Sequence, residues 1–296
     1  MEAKKIKIPT RPVRQFIAED LVVDAWGKIE SYFQDLLDRK IDSAQNLEKW
    51  MLDRSELEAV LEEEQAWRYI NMNIDTRNED LGKAFAFWVK EISPNVAPYN
   101  HKLNVKLLES PFLNELDQHK YRIYLRGLKK AIEIFREENI PLFTEMETKQ
   151  QEYGAMAAKM MVEIDGEKMT MQKAAQFLKS TDRAKRELVF ATMNERRLQD
   201  RDALDKLYDA LIALRQQIAK NAGFDNYRDY MFAAMGRFDY TPEDCADFHA
   251  SIAQEITPIV NSLDAVRKEK MGLESYKPWD GSVDVSGKEP LKPFEG

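Results

Sequence analysis

Apolar positions recur at spacings of three and four through most of this chain, and that period predicts a nearly all-helical protein. Between Glu19 and about Ile92, Leu36, Leu37, Ile41 and Leu47 mark one helix and its turn. Leu57, Val60, Leu61, Trp67 and Ile70 form a second stripe, with Glu62, Glu63 and Glu64 on the wetter side. Leu81, Phe85, Trp88, Val89 and Ile92 form a third. Short connections favour antiparallel neighbours, so a long α-hairpin or a small bundle is expected here.

Prolines and capping residues divide the rest. Pro9 and Pro12 make residues 1–18 an extended lead-in. Ser93-Pro94 is expected to stop the third helix, and Pro98 to keep the next residues irregular. Ser110-Pro111 should open a helix to about His119, with another from Lys120 to Glu138. Pro141 precedes a further helix to roughly Lys159. The single strand signal is 161–169, where Asp165-Gly166 between short alternating runs has the chemistry of a tight hairpin turn. Thr170 is placed to cap a short helix carrying Ala174, Phe177 and Leu178, and Thr181 or Asp182 a longer one through Arg186, Phe190 and Met193. Leu204, Leu207, Leu211, Leu214 and Ile218 give a helical seam that Gly223 ends. Thr241-Pro242-Glu243-Asp244 opens a last helix with a hydroxyl acceptor, a proline that needs no partner for an amide, and two carboxylates at the positive helix end. That helix carries Phe248, Ile252, Ile256, Ile259, Val260 and Leu263. Residues 273–296 are rich in Pro, Gly, Ser and Lys and read as an internal loop that has been cut, with Leu291, Pro293 and Phe294 lacking anything to pack on. The fold class is therefore mostly α with one small β-hairpin near 161–169.

Composition narrows the function classes. The 296 residues are 44% hydrophobic and 32% charged, enough for a core beneath salt-laced helix faces. A net charge of −8 disfavours nucleic acid, which needs a basic face. No window reaches the roughly 18 apolar residues of a membrane span. Cys245 is the one cysteine, so no intramolecular disulfide forms. A soluble, cytoplasmic protein is expected.

Candidate chemistry is sparse. A zinc hydrolase needs neutral imidazoles and a carboxylate around an open coordination position. The histidines are His101, His119 and His249, none followed by glutamate, and no His-Glu-x-x-His occurs. His101 is expected in a Pro- and Asn-rich loop. Glu115 with His119, and Cys245 with His249, share a helix face at i and i+4, but two donors fall short of a zinc set. Such pairs are ordinarily surface contacts or, for the cysteine, a buried small residue. Asp244 and Asp247 oppose a Cys245 thiolate. Met156, Met160, Met161, Met169 and Met171 read as core fillers ahead of an adaptable binding surface. Tyr227, Tyr230, Phe232, Phe238 and Tyr240 read as an aromatic wedge between helices, with Arg237 or Tyr240 the alternatives for substrate contact. No catalytic or metal residue is assigned.

Several stretches carry a resemblance: Ser110-Pro111-Phe112, the MVEIDGEKMT hairpin, FLKSTDRAKRELVFATMNER, the block from Lys220 to Asp244, and the terminal LKPFEG. In wording and order they resemble the oligoendopeptidase F branch of the thimet-oligopeptidase-like zinc metallopeptidases. The resemblance implies a zinc enzyme that cleaves short peptides in a channel between two mostly helical halves. It also implies that residues 1–165 are an amino-terminal accessory region, forming lid and channel wall, and that 166–296 begin the catalytic domain. The family's zinc-binding histidines and general-base glutamate match no position here, so zinc belongs to the parent enzyme and none is expected in this chain alone. The implied partner is the missing carboxyl-terminal catalytic half, which predicts exposed apolar surface near the end of the chain. The competing expectation is a non-catalytic helical interaction module that keeps the scaffold.

Overall fold

Side-chain caps start most of the helices, as the local sequence demands. The computed structural model describes residues 13–76 and 78–288; Pro9, Pro12, Leu291, Pro293 and Phe294 lie outside them. Helix α1 (Gly27–Asp38) begins well after Glu19, the expected start. Ser43 caps α2 (Ala44–Ile74) by accepting from the Asn46 N–H, and Asn78 caps α3 (Glu79–Phe87). Asp117 caps α5 (Gln118–Ile134), and α6 runs over Asn139–Ala158. Strands β1 (Met161–Ile164) and β2 (Glu167–Thr170) pair antiparallel, Met161 opposite Thr170 and Ile164 opposite Glu167. Asp165 and Gly166 both have positive φ, 55° and 80°, as a two-residue primed turn requires. Thr170 caps α7 (Met171–Ala175) and Asp182 caps α8 (Arg183–Gln199). After α9 (Arg201–Asn221), Gly223 takes φ 87° and the Phe224 N–H reaches back to the Ala219 carbonyl at 2.9 Å, a left-handed helix stop. Then come α10 (Tyr227–Ala234), α11 (Pro242–Ser251) and α12 (Thr257–Lys270). The fold is mostly α with one two-stranded hairpin.

The prolines break fewer helices than expected. Trp88–Ile92 form a π turn that carries α3 straight into α4 (Ser93–Leu108), with Pro94 in the first turn and Pro98 inside. The same device recurs at Ile252–Ile256, a π turn that joins α11 to α12 just before Pro258. A proline offers no N–H to the carbonyl four residues back, and its ring crowds that carbonyl. Widening one turn relieves both: the Ser93 N–H bonds the Trp88 carbonyl and the Thr257 N–H the Ile252 carbonyl, each five residues back. Ser110-Pro111 opens no α-helix. Only a short 3-10 turn, Leu113–Glu115, follows, and the helix waits for the Asp117 carboxylate.

The chain forms two compact units. One comprises residues up to Thr148 with Asn221–Gly223, the other Lys149–Lys220 and Phe224 onward. The first is built on Phe33, Leu36, Trp50, Leu57, Ile92 and Leu107, all fully buried. Trp50 also donates its indole N–H to the Leu36 carbonyl at 2.8 Å. Lys106 donates to the carbonyls of Leu36, Leu37 and Arg39 at 2.8, 2.8 and 2.6 Å, a cation on the negative end of α1. Desolvation holds the Lys106 ammonium below the usual lysine range. Glu56 accepts three consecutive N–H groups, from Gln15, Phe16 and Ile17, and so fixes the lead-in on α2. The second stripe of the sequence is buried only as far as Leu61; Trp67 and Ile70 are exposed. The second unit packs Met160, Val162, Ile164, Met169, Val189 and Met193 in one cluster, so these methionines are core.

Candidate functional site

Three features of the second unit bear on function: a tied loop, an aromatic corner and a bare helix. Arg186 on α8 is buried, and its guanidinium donates to the carbonyls of Ser180, Thr181 and Trp279 at 2.9, 3.2 and 2.9 Å. It also donates to the fully buried Asp280 carboxylate at 2.9 Å. Arg183, one turn earlier, donates to both Asp280 oxygens at 3.0 Å. Burial alone would raise the Asp280 carboxyl, but the Arg183 and Arg186 hydrogen bonds and the Lys277 N–H outweigh it and hold it below the usual range. From α12, Arg267 donates to the carbonyls of Asp280, Gly281 and Val283 at 3.2, 3.2 and 2.8 Å. Residues 276–283 are thus pinned to two helices. The sequence reading of 273–296 as an open loop missed this, because nothing in the spacing links Asp280 to arginines about a hundred positions earlier.

The aromatic corner lies around α10. Tyr230 is buried edge-on against Phe224 at 5.7 Å and beside Tyr227 at 5.8 Å. Burial, with Tyr227 adjoining, pushes its phenol up to about 12. Phe232 meets Tyr240 edge-to-face at 5.7 Å, and the Arg237 guanidinium lies 5.2 Å over the Phe232 ring. Gly236, with φ 65°, brings the chain back so that the Phe238 ring lies 3.5 Å from where a Cβ would stand. These rings pack on one another, with the Arg237 guanidinium over Phe232 and Tyr240 partly exposed.

The third feature is the helix α11–π turn–α12. Thr241 and Asp244 form a reciprocal capping box with Pro242 in the first turn. The Thr241 N–H and hydroxyl hold the Asp244 carboxyl below its usual range. None of the residues from Pro242 to Lys270 is buried. Phe248 is 63% exposed, Ile259 57% and Leu263 59%, with Ile252, Ile256, Val260 and Val266 exposed beside them in sequence. Their spacing of three and four puts them along one face. A row of this size in contact with water marks a surface that another element covers.

Of the candidate metal ligands, His101 lies on α4, His119 on α5, and Cys245 and His249 together on α11. His101 is on α4, not in a loop, because the helix passes through Pro98. Its ring stacks on Phe135, 4.1 Å between centroids and 14° from parallel. Glu115 and His119 share no helix face, since Leu116 and Asp117 separate the 3-10 turn from α5. Cys245 and His249 do share α11, but Cys245 is half-buried, not buried, and His249 is exposed. Among the described residues no three of His, Cys, Asp and Glu stand together as a metal set. The donors present do not fit a catalytic zinc. Among the same residues no helix is long and apolar enough to cross a membrane.

Residues 21–135 match the Peptidase M3 N-terminal domain, and residues 176–289 match Peptidase family M3. The fold is similar to that of a candidate oligoendopeptidase F from Bacillus anthracis str. Ames, with a TM-score of 0.84 and 20% identity over 91% of this chain and 50% of that one. It is similar to PZ peptidase A solved with an inhibitor, with a TM-score of 0.82 and 23% identity over 87% of this chain and 46% of that one. It is also similar to oligoendopeptidase F from Enterococcus faecium, with a TM-score of 0.67 and 15% identity over 88% of this chain and 55% of that one. No curated protein matches the sequence. The chain spans about half the length of these solved structures.

Proposed function

This chain belongs to peptidase family M3, and on that footing we propose that it is the amino-terminal part of a zinc-dependent oligoendopeptidase hydrolysing peptide bonds in short peptides. Residues 1–165 act as the accessory lid and channel wall, and residues 166–296 begin the catalytic domain. The zinc set belongs to a carboxyl-terminal catalytic half outside these residues, in keeping with the scattered donors described above. A lone cysteine, Cys245, suits a reducing cytoplasmic setting.

The observation that carries this reading is the bare face of α11–α12. A helix whose apolar row from Phe248 to Val266 meets water is unfinished as a folding unit, since most helical stability comes from packing such a face. Structures of this fold are about twice as long as the chain, which supports a further polypeptide half as the covering element.

The test mixes the purified chain with a carboxyl-terminal M3 peptidase half that carries His-Glu-x-x-His, using a fluorogenic short peptide as substrate. The chain alone should leave the peptide intact and hold well under one zinc per molecule, and the mixture should cleave in a chelator-sensitive way. Cleavage or stoichiometric zinc in the chain alone would overturn the proposal. A stable monomer that binds no such half would favour the non-catalytic interaction module instead.

A further inference from the structure

Packing does not hold the helix α11–α12 in place, since none of its residues is buried. Among the described residues, its side-chain hydrogen bonds to anything beyond the helix and its cap all come from Arg267, near the end of α12. The guanidinium donates from Nε to the Tyr276 hydroxyl at 3.1 Å. From Nη2 it donates to the carbonyls of Asp280, Gly281 and Val283. The loop that offers these acceptors is itself fixed to α8. Asp280 is fully buried against Arg183 and Arg186, and Arg183 also donates to the Ser275 carbonyl at 3.1 Å. The Trp279 ring lies 5.4 Å from that of Phe190 on α8, and Val283 is buried. Hydrogen bonds to charged groups are the strong ones, and here they run in series from α8 through Asp280 and its loop to Arg267 and α12.

We propose that Arg267 is a positioning residue for docking: it locks α12 to the loop that Asp280 ties to α8, and so fixes the pose in which the apolar row meets the carboxyl-terminal half. This inference rests on the docking reading above and adds the residue that sets the geometry of the docking face. A helix with no buried face swings at its far end unless something ties that end down. A face held in one pose binds at full strength, whereas a swinging one binds in proportion to the fraction of molecules in the right pose. Arginine suits the task, because its planar fork reaches the Tyr276 hydroxyl and the carbonyl oxygens together. The competing role is a direct contact between Arg267 and the incoming half. Asp280 separates the two, since its carboxylate serves the α8 end of the tie and makes no hydrogen bond to α12.

The test has two arms, both on the full chain. In the first, spin labels are attached at Glu195→Cys on α8 and Ser262→Cys on α12, both exposed positions, in a Cys245→Ser background. Electron–electron resonance should give one narrow distance. Arg267→Met and Asp280→Asn should broaden it, and Arg267→Lys, which keeps a donor for the carbonyls, should broaden it less than Arg267→Met. In the second arm, calorimetry measures affinity for a carboxyl-terminal M3 peptidase half bearing His-Glu-x-x-His. Arg267→Met should bind about tenfold more weakly, as when roughly a tenth of the molecules hold the right pose. Asp280→Asn should also bind more weakly, and the double variant no worse than Arg267→Met alone, because both cut one tie. An unbroadened distance in Arg267→Met, undiminished binding by that variant, or losses that add in the double variant overturn this role alone. No binding by the unaltered chain overturns the docking reading and this role with it.

Discussion

Helices α1 and α2 and the helix α11–α12 carry the same kind of apolar stripe, yet their fates are opposite. Phe33, Leu36, Trp50 and Leu57 are fully buried, whereas Phe248, Ile259 and Leu263 are more than half exposed. The period of a stripe dictates that a helix forms and which face is apolar. It does not dictate what covers that face. In the first unit the covering helices follow within the same hundred residues; α11–α12 has no such neighbour among the described residues.

Substitutions sharpen the contrast. Trp50→Ala should destabilise the chain by about 3–5 kcal/mol, from lost burial and the cavity left behind. Ile259→Ser, an equally apolar position by sequence, should stay within about 0.5 kcal/mol. Urea unfolding of both variants checks this, and a large loss for Ile259→Ser would mean that its face is already covered. Next in size is Arg186→Met, which removes the buried one of the two guanidinium partners of Asp280 and should cost about 3 kcal/mol; Arg183→Met should cost less, since Arg183 is partly exposed.

Acid should act through the same pair. Asp280 titrates below its unfolded value, so its stabilisation is complete at neutral pH and fades as pH falls through the ordinary carboxylate range, about 3.9, toward its lower folded value. Proteolysis within residues 276–283 should rise over that window and lose its pH dependence in Asp280→Asn. The smallest effect is Thr241→Ala, which removes one side of the capping box and should reduce helix stability by about 1 kcal/mol, seen as faster amide exchange at the start of α11.

Much of the fold was legible in the residues. Asp165-Gly166, Thr170, Gly223 and Thr241 each act locally, and the structure uses them as turn, cap, stop and cap. Pro94 misled, because the π turn before it absorbs a missing N–H that would otherwise break the helix; Pro258, which the expected helix already crosses, is absorbed in the same way. Ser110-Pro111 carries a helix-start signal that the structure does not use; the Asp117 carboxylate caps α5 instead. At the candidate site, His101 was expected in a loop and lies on α4, because the helix runs through Pro98. The ties of Arg183, Arg186 and Arg267 to residues 276–283 were invisible, since they depend on tertiary folding and not on spacing.

The central claim is that the α11–α12 face receives a catalytic half. Hydrogen exchange of the amides and side-chain labelling along Phe248–Val266, measured with and without a carboxyl-terminal half bearing His-Glu-x-x-His, tests it most directly. Protection confined to that stretch, and lost in Ile259→Asp, is the expected result. Unchanged exchange in a mixture that nevertheless cleaves peptide would contradict the account.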